Sequence, residues 1–246
     1  MNLRIFFDNI KEPLEGRFEP SSLRYHIQIY QESFPDLNNA DIALIGLTED
    51  RGSLNNKNLE KGPDEIRKKL YHLKKGGNCR IADLGNLRCG LNLDETYLRL
   101  KEVCEILLQH KVIPVLMGGT HDLDFGQFLA YAGSEKLISI LNVDSTVDMY
   151  GSDEFGANRH HIHKILVYEP NSIFHYSQLG YQSYLTDPET ISVLEKLYFE
   201  TFRVGQIREN MEEMEPVIRN ADMMSFDISA IRQNDAPGNK NAQPFG

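Results

Sequence analysis

Two acidic side chains, four residues apart, follow an apolar run in the middle of the chain. The stretch LISILNV (137–143) is typical of a buried strand, and it leads directly to Asp144, with Asp148 four residues later. A carboxylate removed from water is costly unless a cation or hydrogen-bond donors surround it. The pattern therefore predicts either metal ligands or turn and helix-cap residues, which are a common role for Asp after a strand.

Polar side chains also follow two other apolar runs. The run VLMGG leads to His121 and Asp122, and the run MMSF leads to Asp227, with Ser229 two residues later. Taken singly, each residue has a structural explanation, since His121 could cap a helix or be satisfied in the core. One imidazole and three carboxylates brought together would form a mixed nitrogen and oxygen site. Such a site suits Mn²⁺ or a similar divalent ion better than Ca²⁺.

The elements that must position these residues alternate along the chain. Strand candidates are 41–47, 79–85, 112–119, 136–144 and 221–229, and helix candidates are 62–73, 93–110, 123–133 and 188–202. This alternation is typical of a parallel sheet with helices on both faces, and ligands bind such sheets at the carboxyl ends of the strands. We therefore expect an α/β protein with three layers, α/β/α, around a mostly parallel central sheet.

Composition and charge argue against two classes of partner, nucleic acids and membranes. The chain has 246 residues and a formal net charge of −10, which argues against a nucleic-acid partner. It has no signal-peptide pattern, and no apolar run approaches the length of a membrane span. Its three cysteines form no C-x-x-C pair, which favours reduced thiols. We therefore expect a cytoplasmic protein with neither a nucleic-acid nor a membrane partner.

Four short motifs, in order, resemble those of the ureohydrolase family, which includes arginase, agmatinase and formimidoylglutamase. The family motifs G-P-x-x-I-R, G-G-D-H-S, D-A-H-x-D and S-x-D-x-D-x-x-D-P are matched by GPDEIR (62–67), GGTHD (118–122), DSTVD (144–148) and SFDISAIRQNDAPG (225–238). The resemblance runs from about residue 41 to the end and implies an arginase/deacetylase-like fold over 41–246. Residues 1–40 match no motif and are treated as an unassigned N-terminal extension.

The resemblance implies manganese at the carboxyl edge of the sheet. It matches the ligands of one Mn²⁺ ion to His121, Asp144, Asp148 and Asp227. Asp148 is also implied in catalysis. The positions that would hold a second ion carry Thr146 and Ser229, which are weak neutral ligands. We therefore expect one Mn²⁺ site and doubt a second.

The segment GANRHHIH (156–163) faintly resembles the family's substrate loop, S-G-N-x-H-G. By this match Asn158 would bind substrate, and His160 would carry a proton, a role that histidine side chains commonly fill. His161 or His163 could equally be the matching histidine. A polar surface loop is the structural alternative.

The resemblance implies a metal-dependent hydrolase that cleaves a linear C–N bond in a guanidino or formimino compound through a metal-activated water. Thr146 and Ser229 leave two alternatives open. One is a pseudoenzyme that binds at most one metal and serves as a binding or oligomeric scaffold, and the other is mononuclear chemistry on a different substrate. The family also implies a homo-oligomer. Because no covering helix follows the last strand candidate, we expect the chain to be a truncated form.

Overall fold

The computed structural model describes residues 2–11, 17–55, 57–134, 136–238 and 244. Residues 12–16 belong to the unassigned N-terminal segment, and residues 239–243, 245 and 246 belong to the C-terminal segment expected to be truncated. For these residues, the predictions of an unassigned N-terminal extension and of a truncated C-terminus lie outside the part of the chain that the structure describes. The chain divides into two compact units, Met1–Ala130 and Tyr131–Gly246, which are described separately below.

The first unit is built on a five-stranded, mostly parallel sheet. Its strands are β1 (Phe7–Asp8), β2 (Ile27–Ile29), β3 (Ile42–Leu47), β4 (Ile81–Leu87) and β5 (Ile113–Met117). Its helices are α1 (Gly62–Leu70), α2 (Leu93–Gln109) and α3 (Leu123–Ala132). The strand order is β1-β4-β3-β5, and β2 also pairs with β4. β4 pairs in parallel with β2 and β3, whereas β1 is antiparallel to β4.

Helix α2 shows why these segments form these elements. The side chain of Asn92 accepts a hydrogen bond from the backbone N–H of Glu95 at 2.8 Å and so caps the first turn. The apolar residues of α2 recur at helical spacing, so one face of the helix is buried. The buried residues of that face are Thr96, Tyr97, Leu100, Val103, Cys104 and Leu107.

A buried ion pair joins α1 to β4. The guanidinium of Arg67 donates to both carboxylate oxygens of Asp83, from Nε at 2.8 Å and from Nη2 at 2.9 Å, and both residues are fully buried. The hydroxyl of Tyr71 donates to the same carboxylate at 2.7 Å. Burial alone would lower the pKa of Arg67, but its hydrogen bonds with Asp83 outweigh burial and raise the pKa. The Arg of the GPDEIR motif therefore has a structural role here.

The second unit is built on a four-stranded sheet in which every pairing is parallel. Its strands are β6 (Ile138–Val143), β7 (Ile173–Tyr181), β8 (Glu200–Arg203) and β9 (Met223–Phe226), in the order β8-β7-β6-β9. Its helices are α4 (His161–Leu166), α5 (Pro188–Lys196), α6 (Val204–Glu209) and α7 (Met214–Arg219). Leu141, Leu179 and Met214 form a buried apolar cluster that joins β6, β7 and α7.

The predicted α/β fold class is confirmed, because the strands of both sheets are mostly parallel and alternate with helices along the chain. The helix predicted over 188–202 was wrong in its last part. The helix ends at Lys196, Tyr198 has a left-handed φ of 60°, and the chain continues as β8. The β-branched and aromatic pair Thr201 and Phe202 favours a strand once the helix has ended.

The role of residues 1–40 as a separate extension stays a prediction. Two short strands of that segment, β1 and β2, pair with β4 in the first sheet. Among the residues that the structure describes, no helix combines the length and the apolar character that a membrane span requires.

The Arg67–Asp83 pair yields a stability prediction. Replacing Arg67 with Ala leaves the Asp83 carboxylate buried without its cation, and we expect the free energy of unfolding to fall by about 3–5 kcal/mol. The measurement is urea unfolding of the whole chain. The matched control is Arg80→Ala, which removes the exposed Arg80–Asp41 pair and should cost far less, because water screens that pair. Equal losses in the two variants would contradict the assigned role of Arg67.

Candidate functional site

Two carboxylates emerge together from adjacent strands in the second unit. Parallel pairing of β6 with β9 sets Val143 opposite Phe226, so Asp144 and Asp227 follow at the same carboxyl edge. The backbone N–H of Asp227 donates to the carbonyl of Val143 at 2.8 Å, which continues the pairing beyond the strand. This topology explains how residues 83 positions apart in sequence come to one place.

Ser229 connects these two carboxylates. Its hydroxyl donates to Oδ1 of Asp144 at 2.8 Å, and its backbone N–H donates to Oδ1 of Asp227 at 2.7 Å. The hydroxyl of Ser145 donates in turn to the hydroxyl of Ser229 at 2.9 Å. At a position where the family resemblance implies a metal ligand, this chain therefore has a hydroxyl that supports two carboxylates.

Thr146 and Arg159 surround the third carboxylate, Asp148. Nη1 of Arg159 donates to Oγ1 of Thr146 at 2.9 Å and to Oδ1 of Asp148 at 3.1 Å. Oγ1 of Thr146 lies 3.1 Å from Oδ1 of Asp148 and 3.4 Å from Oδ1 of Asp144. Asp144 and Asp148 are 2% and 3% exposed, so both are removed from water and depend on these donors.

A buried amide holds the loop that carries these residues. Nε2 of Gln178, on β7, donates to the carbonyls of Asp144 at 3.3 Å and Thr146 at 3.1 Å. Its Oε1 accepts from Nδ2 of Asn142 at 3.0 Å and from the hydroxyl of Tyr176 at 2.6 Å. Since Gln178 is fully buried, these bonds fix the backbone on which the three acids stand.

The histidine-rich segment is largely buried and partly helical, and it is not a surface loop. Residues Ala157–Arg159 form one short 3-10 helix and α4 begins at His161. Nδ1 of His160 hydrogen-bonds to the carbonyl of Tyr150, and Nδ1 of His161 to the carbonyl of Asn158 at 3.0 Å. The structural roles of these residues are thereby defined, whereas their catalytic roles stay predictions.

The rings of His160 and His163 stack with a centroid distance of 4.9 Å. Burial lowers the pKa of the His163 imidazole, and the neighbouring His160 lowers it further to a smaller extent. His163 is therefore less easily protonated than an ordinary surface histidine.

A cavity of about 240 Å³ borders this cluster within the second unit. Thr146, Arg159 and Tyr150 line one part of it, and Thr186 and Asp187 line another. Its volume suits a small molecule. The cavity gives such a molecule direct access to the Thr146 and Arg159 side chains beside Asp148.

His121 and Asp122 lie in the first unit, after β5. Gly118 and Gly119, with φ of 86° and 75°, form the turn that leads to them. Asp122 is fully buried, and its Oδ2 accepts a hydrogen bond from the hydroxyl of Tyr97 at 2.6 Å, which gives it a structural partner. The role of His121 as a metal ligand stays a prediction from its motif.

A profile of the arginase family matches residues 40–246. The chain belongs to the arginase family. This confirms the resemblance seen in the motifs. Family membership and the relatives described below indicate a hydrolase that acts on carbon–nitrogen bonds in linear amidines.

Several named relatives of this arginase-family chain are formimidoylglutamases. One from Hahella chejuensis is 26% identical over 247 residues, which cover 92% of this chain and 75% of the relative. One from Lysinibacillus sphaericus is 26% identical over 257 residues, which cover 96% of this chain and 79% of the relative.

Solved structures share the fold. Formimidoylglutamase from Bacillus subtilis matches with a TM-score of 0.79 at 18% identity, covering 96% of this chain and 79% of that one. Trypanosoma cruzi formiminoglutamase with Mn²⁺ matches with a TM-score of 0.74 at 19% identity, covering 84% of this chain and 76% of that one.

Arg159, Gln178 and Ser145 also belong to the site, although no motif in the sequence assigns them a role. Arg159 had a detectable signal, since it is a basic residue between Asn158 and His160 in the quoted loop. Gln178 had a weaker one, because it is a polar residue in the mixed run IFHYSQLGY, which has no clear alternation. Ser145 lacked any signal beyond its position beside Asp144, since its partner Ser229 is distant in sequence.

Gln178 yields a prediction for the frame of the site. In Gln178→Leu, the carbonyls of Asp144 and Thr146 lose a buried donor. The side chains of Asn142 and Tyr176 lose their acceptor. We therefore expect the free energy of unfolding to fall by about 2–4 kcal/mol. Gln28→Leu is the matched control. The amide of Gln28 also bonds to the main chain, at Asn39 and Asp36, but in an exposed setting. A loss at Gln178 no larger than at Gln28, both measured by urea unfolding, would contradict the role given to this amide.

Proposed function

We propose that this arginase-family protein is a Mn²⁺-dependent hydrolase of N-formimidoyl-glutamate or a close formimino analogue. The observation that carries the proposal is the cluster of Asp144, Asp148 and Asp227 at one edge of the second unit's sheet. The names of two relatives supply the substrate class, because both match along most of this chain and both are formimidoylglutamases.

The residues of the cluster fit a divalent ion. Asp144 and Asp148 are almost fully buried, and hydrogen bonds through Ser229 tie Asp144 to Asp227. Carboxylate oxygens suit Mn²⁺, and three of them without a compensating ion would repel one another strongly. Asp144, Asp148 and Asp227 would hold the ion, and the motif adds His121 as a further proposed ligand.

The reaction requires water to add to the formimino carbon and the bond from that carbon to the glutamate nitrogen to break. Formamide and glutamate are the products, and the leaving nitrogen needs a proton. When bound, the metal ion lowers the pKa of a water molecule and polarises the carbon under attack. The contribution of the chain is to fix the carboxylates through Thr146, Ser229 and Gln178, so that the site needs little reorganisation.

His160 is proposed as the residue that moves the proton. A carbonyl accepts but does not donate, so the contact with the Tyr150 carbonyl places the proton of neutral His160 on Nδ1. Nε2 is then the atom that takes up and releases a proton during turnover. Asn158 is proposed to bind substrate beside it.

The proposal also covers the number of metal ions and the alternative that the protein is an inactive scaffold. The comparisons do not favour an inactive scaffold, because the named relatives are enzymes. Thr146 and Ser229 support a site for one Mn²⁺ ion. A homo-oligomer is proposed from the family resemblance, and a cytoplasmic location from the unpaired cysteines.

Activity assays test the proposed function. Purified protein with Mn²⁺ should release glutamate and formamide from N-formimidoyl-L-glutamate faster than it releases urea from agmatine or arginine. Asp144→Asn and Asp227→Asn should each lower kcat/KM by roughly a hundredfold or more, since losing a residue that merely supports a ligand already costs about 10- to 100-fold.

Asp222→Asn is the matched control for these variants. Asp222 lies at the opposite end of β9, is exposed, and accepts a hydrogen bond from the backbone N–H of Ser139 at 2.8 Å. Its variant should keep the activity of the unmodified chain. Full activity of Asp227→Asn, or hydrolysis that persists after metal removal, would overturn the proposed function.

A further inference from the structure

We infer that the guanidinium of Arg159 takes the place of a second metal ion, so that the site binds one Mn²⁺ ion beside a permanent organic cation. The inference rests on the proposed function, since it concerns the same carboxylates. It assigns Arg159 a positioning and charge-balancing role in the site.

The contacts of Arg159 support this role. Its Nη1 bonds to Thr146 at 2.9 Å and to Asp148 at 3.1 Å, so one guanidinium nitrogen bridges a hydroxyl and a carboxylate. The resemblance implied Thr146 as a position for the second metal. Here the Thr146 hydroxyl accepts from Arg159 and donates to Asp148, and a metal ion bound to the same oxygen would have to displace the guanidinium.

Ser229 completes the same pattern on the other side of Asp144. Its hydroxyl donates to Oδ1 of Asp144, as the backbone N–H of Thr146 does at 3.0 Å. Both positions implied for the second metal therefore supply donors to Asp144. These donors use carboxylate lone pairs that a bridging ligand would offer to a second ion.

The charges balance with one divalent ion. Asp144, Asp148 and Asp227 carry three negative charges when ionised, and the guanidinium of Arg159 carries one positive charge. One Mn²⁺ ion together with Arg159 neutralises all three. A second divalent ion added while Arg159 remains in place would leave an excess of two positive charges in a mostly buried cluster, which is costly.

Two contacts with Tyr150 hold Arg159 in position. Its backbone carbonyl accepts from the N–H of Tyr150 at 3.0 Å, and its guanidinium lies 5.7 Å from the centre of the Tyr150 ring. The Asp148 side chain that it contacts is 4% exposed, so this ion pair is shielded from water on the carboxylate side. Such a pair is stronger than a fully exposed one.

Manganese binding by the intact chain tests the inference. Equilibrium dialysis with Mn²⁺, followed by elemental analysis of metal and protein, gives stoichiometry and Kd. We expect one Mn²⁺ per chain. Arg159→Ala and Arg159→Gln should bind that ion roughly tenfold more tightly, because a nearby like charge is removed. Arg159→Lys keeps the charge and should stay close to the unmodified Kd.

Arg203→Ala is the matched control, since Arg203 is an exposed cation of the same unit at the end of β8. It should leave the Kd unchanged. A Kd for Mn²⁺ that is unchanged or weaker in both Arg159→Ala and Arg159→Gln would overturn the inference, because a merely structural or substrate-binding arginine has that effect. Arg159→Gln and Arg159→Lys, which preserve more of the side chain, decide the matter if Arg159→Ala does not fold.

A second set of variants restores the missing ligands. Thr146→His combined with Ser229→Asp should still hold one Mn²⁺ per chain while Arg159 is present, and two once Arg159→Ala is added. Two ions in the unmodified chain would overturn the inference and leave the proposed hydrolase intact. No manganese in the unmodified chain, under conditions that load no other metal, would overturn both.

Discussion

The candidate site depends on the burial of the Asp144 carboxylate. An ionised carboxylate that is 2% exposed is stable in the fold only where donors and cations replace the water it has lost. Donors come from Thr146 and Ser229, and Ser229 in turn holds Asp227. The positions of the other acids follow from this requirement, because the groups that satisfy Asp144 also fix Asp148 and Asp227.

The sheet of the second unit provides the rigid support for this arrangement. Parallel pairing of β6 with β9 brings Asp144 and Asp227 to one edge. Gln178 on β7 holds the loop that follows β6 through the carbonyls of Asp144 and Thr146. Regular strands position side chains more accurately than loops do, which is the condition for a site that must not reorganise during reaction. The less regular segment, residues 156–163, brings Arg159 to the cluster, and Arg159 also lines the cavity.

Much of this arrangement could be predicted from the sequence. Apolar runs that end in acids identified β6 and β9 and the residues that follow them, because strand formation and burial are local properties of the pattern. The ordered motifs identified the arginase family. The end of α5 was not predictable in the same way, since Thr201 and Phe202 become a strand through pairing with β7. The partners of Gln178 and Ser145 depend on contacts between residues far apart in sequence, and no local pattern specifies them.

The central claim is that one divalent ion and Arg159 together balance the three carboxylates of the second unit. The most direct measurement is anomalous diffraction at the manganese edge from crystals of the whole chain grown with Mn²⁺. We expect one anomalous peak, bound by Asp144, Asp148 and Asp227, with the Arg159 guanidinium on Thr146 and Asp148. Two peaks at this cluster, with Arg159 turned away from Thr146, would contradict the account.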